Sequence, residues 1–392
     1  MAATTATAVV VEPLPHPALR NQISRVPYLP GLDGLRAIAV SAVLVYHANH
    51  TWLTGGFLGV EVFFVISGYL ITLLLLSEKE RTGTVRLGQF WLRRARRLLP
   101  ALFVMMASLA IYMALFNTRP MGQARGDLLA GSFYVSNWFQ IWVGQSYTAA
   151  ENFAPLRHLW SLAVEEQFYI LLALLMVAVV RVRRPHRVLA VVAALGIVVP
   201  VALSNMVTDW QPSLEFNTFL RMPELFAGVL LAVWHRSRHR VGLGSTAGDA
   251  LAGVGVAVLV GLFLLADYTP PWLLRGGYSL VAMVTAFTVA GLLQHGRVAA
   301  ALAVRPLRWL GTISYSLYLV HWPAMSVLTR ERTHRDGVAL LAVLLTVSVL
   351  TAWVLHRVIE RPIRQLRTAP LPTLSAGFAA AAVLTVVALV AL

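Results

Sequence analysis

FLGVEVFFVISGYLITLLLLS, residues 57–77, is a run of 21 residues with a single charged side chain, Glu61. As an α-helix rising 1.5 Å per residue it is about 31 Å long. That matches the hydrocarbon core of a bilayer, roughly 30 Å thick. A lone strand cannot satisfy its backbone polar groups in lipid, so the run has to be helical. Runs of the same kind recur along the chain. They read as spans at 36–50, 57–77, 98–117, 159–180, 188–206, 219–235, 249–267, 277–294, 309–328, 337–357 and 373–392. The expected fold is all-α, a polytopic transmembrane helix bundle. Segment 36–50 is short for a bilayer, so it is expected to extend at one end or to lie within the bundle.

Composition agrees. Of 392 residues, 58% are hydrophobic and only 12% charged, against roughly 25% charged in an ordinary soluble domain. The net charge is +15, but the basic residues sit in short loops between apolar runs. That distribution reflects topology rather than a nucleic-acid surface. With the N-terminus inside, roughly 23 Lys and Arg fall in inner loops and about 8 in outer ones. The chain has no Cys, which excludes disulfides, thiolate metal sites and a Cys nucleophile. Residues 1–30 lack the basic start and short apolar core of a secretory signal and read as a flexible cytoplasmic tail. The long outer segment 118–158 carries Trp138 and Trp142 and suits an interfacial or re-entrant helix.

Four groups of polar residues stand out against this apolar background. Arg36 and His47 are eleven positions apart in the first span. Eleven residues at 100° make three turns plus about 20°, so both face the same way, about 16 Å apart. Ionisable groups at such depth are costly and point to function. Histidine is the usual general base. The competing reading is a snorkelling Arg and a His bonded to a neighbouring helix.

His158, Ser161, Glu165 and Tyr169 share one stripe where the fourth span begins, with Glu166 about 80° from His158. The stripe fits a water-lined chamber. Two acids at a helix N-terminus also complement its dipole. Ser314, Tyr318 and His321 share a face of the ninth span, where aromatic residues also serve as interface anchors. Arg93, Arg94, Arg96 and Arg97 precede the third span. Arginine forks suit phosphates, and anionic lipid headgroups also explain such a cluster. Glu61 adds embedded charge, as do Arg221 and Glu224, which are i,i+3 neighbours able to pair. There is no His-x4-Asp motif, no Walker loop and no Gly-rich dinucleotide fingerprint.

Taken in order, these blocks resemble the acyltransferase-3 family of membrane O-acyltransferases. The resemblance begins with Leu32-Asp33-Gly34-Leu35-Arg36-Ala37-Ile38-Ala39-Val40 and continues to His47. It proceeds through Gly55–Thr72, the Arg94 and Arg97 block, His158–Tyr169, Arg221-Met-Pro-Glu224 and Ser314–His321. It covers about residues 28–365. The family's Arg-x10-His element falls on Arg36 and His47, and its Arg-x-x-Arg element on Arg94 and Arg97. Glu61 stands where members often carry Asp. The resemblance implies a ten-helix unit here followed by an eleventh C-terminal span. It also implies acyl-CoA, usually acetyl-CoA, bound from the cytoplasm. Family acceptors include surface polysaccharides, peptidoglycan and macrolides. Some members continue into an extracytoplasmic SGNH-type domain, so this chain either works alone or serves such a partner.

The expected organisation is a tail at 1–30, a membrane acyltransferase domain at 31–365, and a linker with the eleventh helix at 366–392. The expected activity is O-acylation of a hydroxyl-bearing acceptor, with no metal and no nucleic acid. The resemblance assigns the donor headgroup to Arg93, Arg94, Arg96 and Arg97, with Arg36 holding CoA or orienting the thioester. His47 takes the proton or carries the acyl group, and Glu165 or Glu166 orients a histidine or binds acceptor hydroxyls. Ser314 and Tyr318 are candidate oxyanion or acceptor donors, and His158, Ser161, Tyr169, His321 and Glu61 candidate lining residues. A transporter or flippase of a glycan or lipid-linked intermediate would also need a polar chamber. It would bind no CoA and consume no thioester. A non-catalytic scaffold would leave His47 unexplained.

Overall fold

A computed structural model describes residues 28–365, except 117–121, 146–152, 180, 209–211 and 238–243, together with Ala379 and Val383. Almost all of the expected tail, and the linker and eleventh span, therefore lie outside the described residues. Among those described, every regular element is helical. In chain order they are α1 (Pro30–Ala48), α2 (Gly59–Thr82), α3 (Leu87–Phe116), α4 (Gly122–Ser132), α5 (Ser136–Trp142) and α6 (Leu159–Val179). Next come α7 (Pro185–Met206), α8 (Met222–Ser237), α9 (Ser245–Leu265), α10 (Pro270–Trp272), α11 (Tyr278–Leu292) and α12 (Arg297–Leu302). The last are α13 (Arg305–Thr312), α14 (Ser314–Val327), α15 (Arg330–Thr333), α16 (Gly337–Val354) and α17 (Arg361–Gln365). Tighter turns at Gly56–Leu58 and Pro212–Phe216 and π-helical turns at Leu273–Gly277 and Leu355–Glu360 join or extend them.

Eight helices among the described residues are long and apolar enough to cross a membrane. Two expected spans are not among them. In place of 219–235 stands α8, with 16 residues. In place of 309–328 stand α13 and α14, of 8 and 14 residues, parted at Ile313, whose φ of −91° and ψ of 3° leave the helical region. Both short pieces are interior. Met222 to Val229 of α8 and Ser314 to His321 of α14 are buried without a break. A helix enclosed by other helices packs on protein, so bilayer thickness does not set its length.

The first span is longer than its apolar run. Pro30 occupies the first turn, where a missing N–H costs nothing, and the helix continues to Ala48. The third is longer still. At 30 residues, α3 is about 45 Å long, and the four arginines lie on its first turns rather than in a preceding loop. The segment read as interfacial contains α4 and α5, with Trp142 81% exposed.

α2 and α8 cross at the centre of the bundle with almost no gap. A β-carbon on Gly68 would stand 2.1 Å from the Leu225 carbonyl oxygen, and one on Gly228 would stand 2.2 Å from that of Val65. Two glycines thus let the backbones touch. At the periphery, the apolar windows of α7 and of the α16 segment are only 17% and 22% buried. Those two helices present the outward apolar surface.

Candidate active site

One cavity penetrates the bundle from the end where the arginines cluster. Its wall is built from five helices: Arg36 of α1, Ser67 of α2, Arg94 and Arg97 of α3, Ser161, Glu165 and Tyr169 of α6, and Ser314, Tyr315 and Tyr318 of α14. Phe63, Phe64, Leu70 and Leu162 supply apolar wall. Its empty volume is about 810 Å³, open solvent at the mouth included.

Because the arginines ride on a helix, they do not act as one cluster. Arg93 turns away from the cavity and pairs with Glu78 at 3.3 Å. Arg94 lies on the cavity wall, held by Glu166 at 2.5 Å and stacked 3.8 Å over the Tyr169 ring. Arg97 is exposed at the mouth and makes no hydrogen bond or ion pair to a described residue. Arg96 is not on the lining. Arg36 faces the same space, with Asp33 at 3.4 Å. The cavity is thus lined by three guanidiniums, two of them already matched by carboxylates, Arg36 by Asp33 and Arg94 by Glu166. Next to this last pair, Ser67, Glu165 and Tyr169 share the cavity wall.

The cavity closes at a hydrogen-bonded layer. The Ser161 and Tyr318 hydroxyls share a 2.7 Å bond, and both reach the His158 carbonyl, at 3.3 and 3.0 Å. Beyond that layer lie three histidines. Nδ1 of His47 is 3.1 Å from Nε2 of His321, and the two rings stack with centroids 5.3 Å apart. Trp322 meets the His47 ring edge-on at 4.8 Å, and Arg157 sits 5.7 Å over Trp322. The His158 ring packs edge-on to His321 at 5.6 Å. His47 keeps partial exposure, away from the cavity lining. Arg36 and His47, on one face of α1, therefore serve opposite sides of the closed layer.

Pro323 explains part of this order. Proline has no N–H, so the Leu319 carbonyl four residues before it loses its helical partner. His158 Nε2 fills the vacancy at 3.1 Å. Two elements far apart in sequence are tied by a bond that the helix itself leaves open.

The sequence stripes divide accordingly. Ser161, Glu165, Tyr169, Ser314 and Tyr318 reach the cavity, whereas His158, His321 and His47 gather behind it. Glu166 is not on the lining and acts on Arg94. Glu61 is elsewhere. It binds Arg221, which also approaches Glu224 at 3.9 Å and lies 3.7 Å over the Tyr278 ring. Sequence reasoning assigned nothing to Ser67, Tyr315 or Trp322, although each stands in or beside a quoted block. It also passed over Glu360. That carboxylate is buried at the end of a π-helical turn, accepts bonds from Ser316 and His356, and lies near Arg97. The four-residue spacing of His356 and Glu360 was the available signal.

A family profile described as an acyltransferase domain matches residues 29–357. The chain belongs to the acyltransferase-3 family. Peptidoglycan O-acetyltransferase OatA of Listeria monocytogenes is 37% identical over 348 residues, covering 86% of this chain and 56% of the relative. O-acetyltransferase OatA of Staphylococcus aureus is 36% identical over 351 residues, covering 86% and 57%. The chain spans little more than half the length of these curated relatives. No solved structure matches it.

Proposed function

We propose that this acyltransferase-3 protein is a multi-pass membrane O-acetyltransferase that moves acetyl from acetyl-CoA to a hydroxyl of a cell-envelope glycan. The observation that carries the reading is the placement of Arg36 and His47. One helix offers a cation to a cavity and a histidine to the far side of that cavity's closed end. The donor's phosphates go to Arg97 and Arg36 at the mouth, with Arg94 available once Glu166 yields. The N-terminus and this mouth face the cytoplasm, as the basic loops suggest. The pantetheine arm follows the apolar wall towards Ser161 and Tyr318.

For the thioester to meet an acceptor beside His47, the Ser161–Tyr318 bond has to open. His47 then takes the proton of the acceptor hydroxyl as its oxygen attacks the thioester carbonyl. The C–S bond breaks, and the departing thiolate takes the proton. The Tyr318 and Ser161 hydroxyls, freed from each other, are placed to stabilise the developing oxyanion. The names of the relatives support acetyl as the group. For one of them they name peptidoglycan as the acceptor, which makes peptidoglycan the first acceptor to test. The length those relatives have beyond the match leaves room for a partner domain of the SGNH type.

The test uses detergent-purified protein, labelled acetyl-CoA and glycan fragments read by mass spectrometry. His47→Ala and His47→Gln are expected to lose transfer roughly 100-fold or more, the usual scale of acid–base catalysis. Both should fold and bind acetyl-CoA as before, because the mouth is about 16 Å away along α1. Turnover near wild type in a folded His47→Ala protein would remove His47 from the mechanism. Glycan movement without thioester consumption would replace the enzyme by a transporter.

A further inference from the structure

We propose that His321 is a positioning residue that fixes the tautomer of His47 and so makes Nε2 of His47 the nitrogen that receives the acceptor's proton. The inference rests on the reading of His47 as the base, and it adds which nitrogen acts and what holds it ready.

Two backbone carbonyls of α14 decide the hydrogens. His321 Nδ1 lies 2.6 Å from the Tyr318 carbonyl oxygen. A carbonyl only accepts, so Nδ1 carries the hydrogen. In the neutral ring Nε2 then holds a lone pair. That Nε2 is 3.1 Å from His47 Nδ1, which must therefore be the donor. Neutral imidazole has one hydrogen, so the lone pair of His47 falls on Nε2. The near-parallel stacking of the two rings, at 19°, and the edge-on contact of Trp322 hold this nitrogen in one direction.

His158 is set the same way. Its Nε2 donates to the Leu319 carbonyl that Pro323 leaves open, and its ring wedges against His321 at 78°. Donation thus runs from His47 through His321 to a backbone carbonyl of α14. When His47 takes a proton, the resulting cation keeps its Nδ1–H bond to His321, so the charged state inherits the same support. This is the orienting task that a carboxylate performs for the histidine of hydrolytic triads, carried out here by a second imidazole.

The experiment compares two replacements of similar size. His321→Gln keeps an acceptor oxygen near the position of Nε2, whereas His321→Met keeps bulk and offers no comparable acceptor. Turnover of His321→Gln is expected within about tenfold of wild type, and that of His321→Met is expected to fall roughly 100-fold, with the acetyl-CoA constant unmoved in both. Equal losses in two variants that melt alike would mean that His321 only fills space, and would overturn the proposal.

Nitrogen-15 spectra of the histidine-labelled wild-type protein give a readout independent of activity and of mutant folding. The chain has 11 histidines, and the His47 signal is assigned as the one lost in His47→Gln. A hydrogen on Nδ1 is expected, and a hydrogen on Nε2 would overturn the assignment. If His47→Gln itself turns over normally, the base reading fails, while the spectrum still reports the tautomer by itself.

Discussion

Two of the arginine–carboxylate sites among the described residues look alike on paper and differ in their surroundings. Arg94 pairs with Glu166 on a cavity wall, each about 12% exposed, and stacks on Tyr169. Arg221 pairs with Glu61, approaches Glu224 and stacks on Tyr278, with every charged member at 2% exposure or less. The first pair borders space that a ligand can fill and has a second acid, Glu165, nearby. The second is sealed under the α2–α8 crossing, which Gly68 and Gly228 close. Chemistry needs charge that can be exchanged, whereas a fold needs charge that stays where it is.

The sealed pair should give the largest effect. Removing one member of a buried ion pair leaves the other uncompensated and costs about 3–5 kcal/mol. Arg221→Gln is therefore expected to lower folded yield and melting temperature sharply, with Glu61→Gln close behind. Whatever protein survives should keep a normal acetyl-CoA constant. A stable Arg221→Gln protein with a lost donor site would break the comparison.

The cavity pair should respond in the opposite sense. Arg94→Ala with Arg97→Ala is expected to raise the apparent acetyl-CoA constant tenfold or more, about 1.4 kcal/mol of binding, with melting little changed. Arg94→Lys should recover only part, since it keeps charge but loses the planar fork and the stacking on Tyr169. If donor binding is unmoved while anionic-lipid binding falls, the arginines belong to the membrane surface.

Much of this division was legible before the structure. Residues 57–77 and their repeats specify helices because lipid allows little else, and periodicity alone placed Arg36 and His47 on one face. Three matters were not legible. Helix length failed as a guide at α8 and α14, because an enclosed helix owes nothing to bilayer thickness. The four arginines read as a unit because a loop was expected, and a helix turned Arg93 to Glu78. The bond from His47 to His321 joins residues 274 positions apart. No local pattern carries it, although Pro323 marks the carbonyl that draws His158 in. Glu61 and Glu166 differ only in their packing, which one sequence does not encode locally.

The smallest expected effect lies in a third buried acid, away from both pairs. Asp127 of α4 is 1% exposed and accepts a 2.7 Å bond from the Gln140 amide, while its other oxygen has no partner among the described residues. Burial pushes its carboxyl up to about 7 from an ordinary 3.8, against the opposing pull of the Gln140 bond and the Arg157 charge. The folded acid therefore binds its proton more tightly than the unfolded chain does. Its contribution to stability is full below about pH 4, declines between about 4 and 7, and levels off above 7. Asp127→Asn keeps the oxygen that Gln140 uses and has no proton to lose. The variant should match wild type in melting at pH 4 and exceed it by a few degrees at pH 8, with transfer activity unchanged at both. A variant that melts lower than wild type at pH 8 would mean that the carboxylate is held ionised by Arg157, making the α4 segment a further charge pair rather than a neutral hydrogen-bonded one.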